Sequence, residues 1–333
     1  MKKIMILGGT GFLGYYSTLE AIRRGYQVGA IALDDVKLDG WYPKEVEVKH
    51  TDLFTIDENE LAKMMEGYDY MIYSVGPDDR ETPPAPAYEY FHQHLVVDCA
   101  KCFRAAEKAG IKKAVVFNSY FAYFARRYPE MELEKKHPYI RSRVEQAKLL
   151  NEQKKKMEVV VLELPYIFGA MPERMPIWKG VFLDRYAYGK KFIFFPKGGT
   201  TMIAVEHIGE AAIGAIEYGK DGERYPIGDE NQPFDFMLNE MTGYALGKPK
   251  KIIHPANWMC GLGGAAIAKK EKKQGNEPGL NLKLVMTEIM SRNLFIEAEL
   301  MDEINTKLHI NRGGLKEAIH KTMERCYPNH SFK

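Results

Sequence analysis

The chain has 333 residues, 45% hydrophobic and 28% charged, a globular balance that excludes wholesale disorder and a fibrous repeat. The 47 Lys+Arg against 45 Asp+Glu leave a formal charge of +2, which gives no electrostatic case for nucleic acid as the main partner. Four cysteines (Cys99, Cys102, Cys260 and Cys326) are too few for a disulfide scaffold, and no apolar run reaches the about 18 residues of a membrane span, so a cytoplasmic protein is expected.

In chain order, residues 4–7 read as a short buried strand. The apolar run behind Lys2 and Lys3 stops at Gly8, too early for a secretory leader. Residues 15–24 follow as a helix with Leu19 and Ile22 on one face, arginines in the last turn and Gly25 as its stop. Residues 28–33, 46–49 and 70–75 are the next strands. A long helix is expected over 87–109, where Phe91, Leu95, Cys99, Cys102 and Ala106 recur at helical spacing. A strand at 114–117, a second long helix over 139–155 and a strand at 159–164 continue the alternation. Such a pattern implies right-handed βαβ units and a doubly wound parallel sheet in an α/β fold. After Pro165 the texture changes to Pro172, Pro176, Pro196 and Gly198-Gly199 among many aromatics. Helical patterns return at 205–218, 234–246 and 282–327, and the basic run 269–273 reads as a solvated helix end before a loop.

The most informative motif is Gly8-Gly9-Thr10-Gly11-Phe12-Leu13-Gly14, which follows a strand and opens a helix. In that context glycines permit a tight turn, close approach of a pyrophosphate to the backbone, and close helix–sheet packing, while the helix N-terminus favours the phosphate charge. The motif predicts a dinucleotide, held by residues 8–14. An acid about 20 residues on should meet the adenosine ribose, and Asp34, with Asp35 beside it, argues for NAD. NADP stays open, because Ala32 is expected to end the second strand facing the ribose and Lys37 suits a phosphate. Asp52 is either an acceptor for the adenine amino group or a helix cap.

Past this turn the sequence resembles the extended short-chain dehydrogenase/reductases, in their epimerase/dehydratase-like branch. The residues that carry the resemblance are GGTGFLG (8–14), Asp52-Leu53, VVFNS (115–119), PYIRSRVEQ (138–146), LPYIFG (164–169), AVEHIGEAA (204–212) and YPIGDENQPF (225–234), over about residues 1–250. The resemblance implies a Rossmann-type domain over 1–169 with a return segment near 203–232, and a smaller, mostly helical substrate subdomain from 170–202 and 233–333. It implies Tyr139 as general acid/base, Ser119 as the partner of the same substrate oxygen, Pro165 and Tyr166 along the nicotinamide, and Leu53, Ser74, Val75 and Gly76 on the adenosine side. The family's Tyr-x-x-x-Lys pattern has Arg143 in the lysine's place. Arginine keeps the charge and the donors for a ribose but cannot release a proton. The family's relay asparagine is also missing, with His94 or Leu95 near its place. A homodimer through the helices near 87–109 and 139–155 is a further implication.

The expected function is therefore NAD(P)-dependent hydride transfer to or from a carbonyl/alcohol of a small, fairly apolar molecule. The dihydroflavonol-reductase and 3β-hydroxysteroid-dehydrogenase side of the family and the aromatics after Ser119 both favour such a substrate. One rival is a sugar-nucleotide epimerase or dehydratase with tightly held NAD, whose substrate diphosphate would need cations such as Arg174, Arg185, Lys190 and Lys191. Another is a non-catalytic dinucleotide sensor. A second Tyr186-x-x-x-Lys190 lacks a serine-bearing strand before it and reads as pocket wall or core. Cys99-x-x-Cys102 reads as core packing, and no metal site is expected.

Overall fold

A computed structural model describes residues 1–33, 37–187 and 189–328. Its central sheet contains β1 (Lys3–Leu7), β2 (Gln27–Ala32), β3 (Glu47–His50), β4 (Tyr70–Tyr73), β5 (Lys113–Ser119), β6 (Glu158–Leu164) and the late strand Arg224–Pro226. All pair in parallel, and the spatial order is Arg224–Pro226, β6, β5, β4, β1, β2, β3. The winding direction reverses between β1 and β4, and in open sheets of this kind the crevice outside the strand ends at such a point is where ligands bind.

Strand alternation builds the two faces. Ile4 and Ile6 of β1 join Val28, Ala30, Ile72 and Val115 under the helix Val205–Tyr218. Met5 and Leu7 join Ile31, Met71, Tyr73 and Val116 on the other face, against Leu61, Cys99, Cys102 and Phe103. The two thiols are core packing, and burial pushes Cys102 up to about 12.

The first helix runs Phe12–Arg23, three residues earlier than its apolar face alone indicates, because the glycine turn leads straight into it. The expected 87–109 helix is continuous but carries a π-helical stretch, His92–Val97, between Ala87–Phe91 and Asp98–Lys108. The second long helix is Pro138–Gln153. Several helices among the described residues escape the sequence reading in whole or in part. Glu58–Met65 is capped by Asp57, which accepts from the Asn59 N–H at 2.8 Å. Tyr120–Arg127 starts directly at Ser119, and Asn257–Lys273 ends in the basic run. The expected helical run 282–327 is interrupted by the strand Asn293–Leu294 and by the left-handed residues His309, Gly313 and Gly314 between Ala298–Leu308 and Leu315–Cys326.

A second sheet forms around Gly199–Ala204, which pairs with Glu230–Pro233, Tyr166–Phe168 and Asn293–Leu294. It lies within the aromatic-rich core that joins Tyr120, Phe124, Phe168, Trp178, Phe182 and Phe234. Among the described residues no helix is long and apolar enough to cross a membrane.

Candidate active site

The glycine turn is closed below and open above. Gly8 is left-handed at φ 80°, and its N–H donates to the Ile31 carbonyl at 2.9 Å. A Cβ on Gly14 would lie 2.2 Å from the Gly8 oxygen, and one on Gly9 would lie 2.6 Å from the Ala30 Cβ. A Cβ on Gly11 would meet that oxygen at 3.2 Å and otherwise only the Arg174 guanidinium at 3.8 Å. The helix behind Gly11 has no side-chain cap and no acid in its first turn, so its leading N–H groups and positive pole are left for an anion. Residues 8–14 thus fit a dinucleotide pyrophosphate.

The neighbouring expectations divide. Ser74 donates from Oγ to the Leu7 carbonyl at 2.8 Å, and Val75 Cγ2 lies 2.7 Å from where a Gly8 Cβ would be. These two residues, just after β4, brace the turn. Asp52 accepts from the Phe54 N–H at 2.9 Å in a local turn, and the cap of the following helix is Asp57, which corrects the capping alternative for Asp52. Leu53 is 5% exposed and packs in the core with Leu7, Ile31 and Leu61. Asp34 lies outside the described residues, and β2 ends at Ala32.

At the other end of the crevice, Ser119 is the last residue of β5 and also caps Tyr120–Arg127, accepting at Oγ from the Phe121 N–H at 3.3 Å. Tyr139 sits in the first turn of Pro138–Gln153. Arg143, one turn on, donates from Nε to the Tyr139 hydroxyl at 3.0 Å. It also donates to the Phe117 carbonyl at 3.1 Å and to Gln146 Oε1 at 3.0 Å. Asn118 completes the network, donating to the Arg143 carbonyl at 2.9 Å and to Gln146 Oε1 at 3.0 Å. Arg143 is only 8% exposed. In this conformation three of its five N–H groups bind protein acceptors and bring charge to Tyr139, and the ribose contact expected of Arg143 would fall to the two on Nη2. Because the Tyr139 oxygen accepts from Arg143, its own proton is left to be directed elsewhere.

Sequence reasoning missed what positions this helix end. The Tyr139 N–H donates to the Gly279 carbonyl at 2.9 Å, and the Asn281 N–H donates to His137 Nδ1 at 3.0 Å. A Cβ on Gly279 would lie 2.4 Å from the Phe91 ring and 3.2 Å from the Tyr139 Cβ, so only glycine lets this loop close over the tyrosine. The same loop ties down the chain after β4: Ala85 N–H donates to the Gly275 carbonyl at 2.9 Å and Ala87 N–H to the Glu277 carboxylate at 2.8 Å.

That tied segment carries Asp78, Asp79 and Arg80, also missed. Three charges directly after a strand's C-terminal end were the available signal. The Arg80 guanidinium binds Asp78 through two hydrogen bonds, lies 3.4 Å from Asp79, and stands over the Trp178 ring at 5.5 Å. Trp178 packs on Tyr166, which neighbours Tyr120, Phe182 and Phe234, so the aromatic wall expected from composition carries a charged corner. Enclosure pushes the Asp79 carboxyl up to about 7 against the pull of Arg80, with the Asp78 charge adding to the rise.

Burial also pushes the Tyr139 hydroxyl up; Arg143 pulls it down, and the Asp79 and Asp78 charges oppose that pull. Asp79→Asn removes a negative neighbour, so the tyrosinate should become easier to form. The pH profile of the oxidation direction, which needs that base, is expected to move down by about 0.5–1 pH unit. An unmoved profile would show that Asp79 does not act on Tyr139.

The remaining candidates are engaged elsewhere. His94 pairs with Asp98 at 2.9 Å and packs on Phe54. Tyr186 packs between Phe182 and Phe195 while Lys190 donates to the Arg185 carbonyl, in line with a wall position. Arg174 stands at the glycine turn.

Residues 8–167 match a family model described as NAD(P)H-binding. The structure of gox2253 is similar over 100% of both chains, with a TM-score of 0.77 at 17% identity. A nucleoside-diphosphate-sugar epimerase from Pseudomonas aeruginosa is similar over 100% of this chain and 99% of its own, with a TM-score of 0.68 at 16% identity. UDP-glucose 4-epimerase from Bifidobacterium longum, solved with NAD+ and UDP, is similar over 100% of both chains, with a TM-score of 0.65 at 13% identity. Identities this low speak to the fold alone. Among curated proteins, none matches the sequence.

Proposed function

We propose that the protein is an NAD(P)-dependent oxidoreductase acting on a carbonyl/alcohol of a small, fairly apolar substrate, because residues 8–167 match the NAD(P)H-binding family model in a chain that shares the fold of the sugar-nucleotide epimerase structures. The observation that carries this reading is the buried Tyr139 hydroxyl, held as an acceptor by Arg143, with Ser119 at the end of β5.

Residues 8–14 would hold the pyrophosphate, with Pro165 and Tyr166 beside the nicotinamide. Bound there, the nicotinamide supplies or accepts the hydride. In reduction, Tyr139 donates its proton to the substrate oxygen while the Ser119 hydroxyl hydrogen-bonds that oxygen. In oxidation, the Tyr139 tyrosinate, stabilised by Arg143, accepts the proton and returns to the neutral hydroxyl. The wall of Tyr120, Tyr166, Trp178 and Phe182 excludes water and takes an apolar body.

A second reading is a sugar-nucleotide epimerase or dehydratase that keeps its NAD. Two observations favour it: the similarity along the full length to such enzymes, and the polar Asp79–Arg80 corner, which suits hydroxyl-rich ligands. One experiment separates the two. The purified protein is denatured and the released nucleotide weighed by mass spectrometry, while the native protein is assayed for consumption of added NADH and NADPH with a panel of aromatic and alicyclic ketones. Consumption of added coenzyme is the expected result. Stoichiometric released NAD together with no consumption would overturn the oxidoreductase in favour of the second reading.

A further inference from the structure

The segment after β6 is pinned across the mouth of the glycine turn. Tyr16, on the first helix, donates to the Ala170 carbonyl at 2.6 Å. The Gly169 N–H donates to Thr322 on the last helix at 2.7 Å, and Trp178 Nε1 donates to the Ile167 carbonyl at 2.7 Å. Glu173 then takes a left-handed φ of 55°, unusual for a residue with a side chain, and Arg325 donates to the Arg174 carbonyl at 3.4 Å. The segment carrying the exposed Arg174 is thus tied to the first helix at Ala170 and to the last helix at Arg174 itself.

Its side chain reaches back over the turn, with one terminal nitrogen 3.8 Å from where a Gly11 Cβ would stand. Gly11 is the residue before the uncapped helix Phe12–Arg23, whose N-terminus is the positive pole. A cation placed at a positive pole is electrostatically unfavourable unless an anion lies between them. Among the described residues no carboxylate comes within 4.0 Å of the Arg174 guanidinium to serve as that anion. The charge pattern is that of two halves of an anion clamp, helix N–H groups on one side and a guanidinium on the other.

We infer that Arg174 binds the pyrophosphate of the dinucleotide from the face opposite the helix N-terminus. This deepens the dinucleotide reading of residues 8–14 and rests on it. It also relocates a residue that the epimerase alternative assigned to a substrate diphosphate. A guanidinium suits this place because its planar fork matches two phosphate oxygens, and bonds to charged groups are among the stronger ones.

Calorimetry on the full chain tests the inference, with NAD+, ADP-ribose, adenosine and UDP as probes. Arg174→Ala is expected to weaken NAD+ and ADP-ribose by about 10- to 100-fold and to leave adenosine unchanged. Arg174→Lys should recover part of the loss, as a point charge without the fork. The salt dependence of NAD+ affinity should flatten in Arg174→Ala, and unchanged thermal unfolding would show that the fold is intact. Unaltered NAD+ affinity in Arg174→Ala overturns the inference, and a loss confined to UDP overturns it in favour of a substrate diphosphate. Gly11→Val in the same series separates the two levels. If it abolishes NAD+ binding while Arg174→Ala does not, only the clamp is wrong; if neither variant matters, the dinucleotide reading of the turn fails.

Discussion

Tyr139→Phe is expected to lower turnover by about 10²-fold or more while leaving NAD(P) affinity nearly unchanged. The substitution removes one oxygen, so packing of the ring against Phe91 at 5.4 Å survives, but the proton for the substrate oxygen is gone. It also leaves the buried Arg143 Nε without its 3.0 Å acceptor, a loss of about 1–3 kcal/mol in stability that thermal unfolding would detect. Companion variants give the reading a sign. Arg143→Ala removes the positive neighbour, so Tyr139 ionises less readily and the oxidation profile should move to higher pH, opposite to the shift expected from Asp79→Asn. Arg143→Lys keeps the charge and should stay within about tenfold of the parent. A Tyr139→Phe protein as active as the parent on a proven substrate would sink the acid/base assignment.

Gly11→Val should cost about 100-fold or more in dinucleotide affinity with the fold retained. The new Cβ stands 3.2 Å from the Gly8 oxygen, a contact relieved by a small shift, and its methyl groups project into the open space beyond, where Arg174 is the nearest atom at 3.8 Å. Gly14 is the wrong residue for this test. Its Cβ would press to 2.2 Å against the same backbone oxygen and damage the turn itself, so lost binding would report lost structure. Calorimetry of a folded Gly11→Val protein that still binds NAD(P) at parental affinity would show that the phosphates lie elsewhere.

The parts legible in the sequence are those in which local pattern and tertiary role coincide. Residues 4–7 read as a buried strand because Ile4 and Ile6 serve one face of the sheet while Met5 and Leu7 serve the other, so every position is apolar. The helices Val205–Tyr218 and Phe234–Leu246 matched their periodicity from end to end. The glycine turn was legible because glycines at this spacing, directly after a strand and ahead of a helix, form a short-range pattern. Tyr120–Arg127 was missed because six of its eight residues are buried, which erases the one-sided pattern that marks a helix. The 282–327 stretch was overread because its apolar spacing runs on past Gly313 and Gly314, where the backbone turns left-handed.

For the site, the sequence by itself determined the glycine turn, the Ser119 strand end and the Tyr139/Arg143 spacing, since each is a short-range pattern of backbone or helix geometry. Only the tertiary structure decided what those residues face. It turned Arg143 inward onto Tyr139, Phe117 and Gln146, and moved Leu53 into the core. It brought Gly279 over Tyr139 from 140 positions away, and Arg174 over Gly11 from 163 positions away. The physical reason is range. Turn and helix preferences act over a few residues, whereas the partner of a charge or the closure of a loop depends on which distant segments packing brings within hydrogen-bond reach, and no local pattern encodes that.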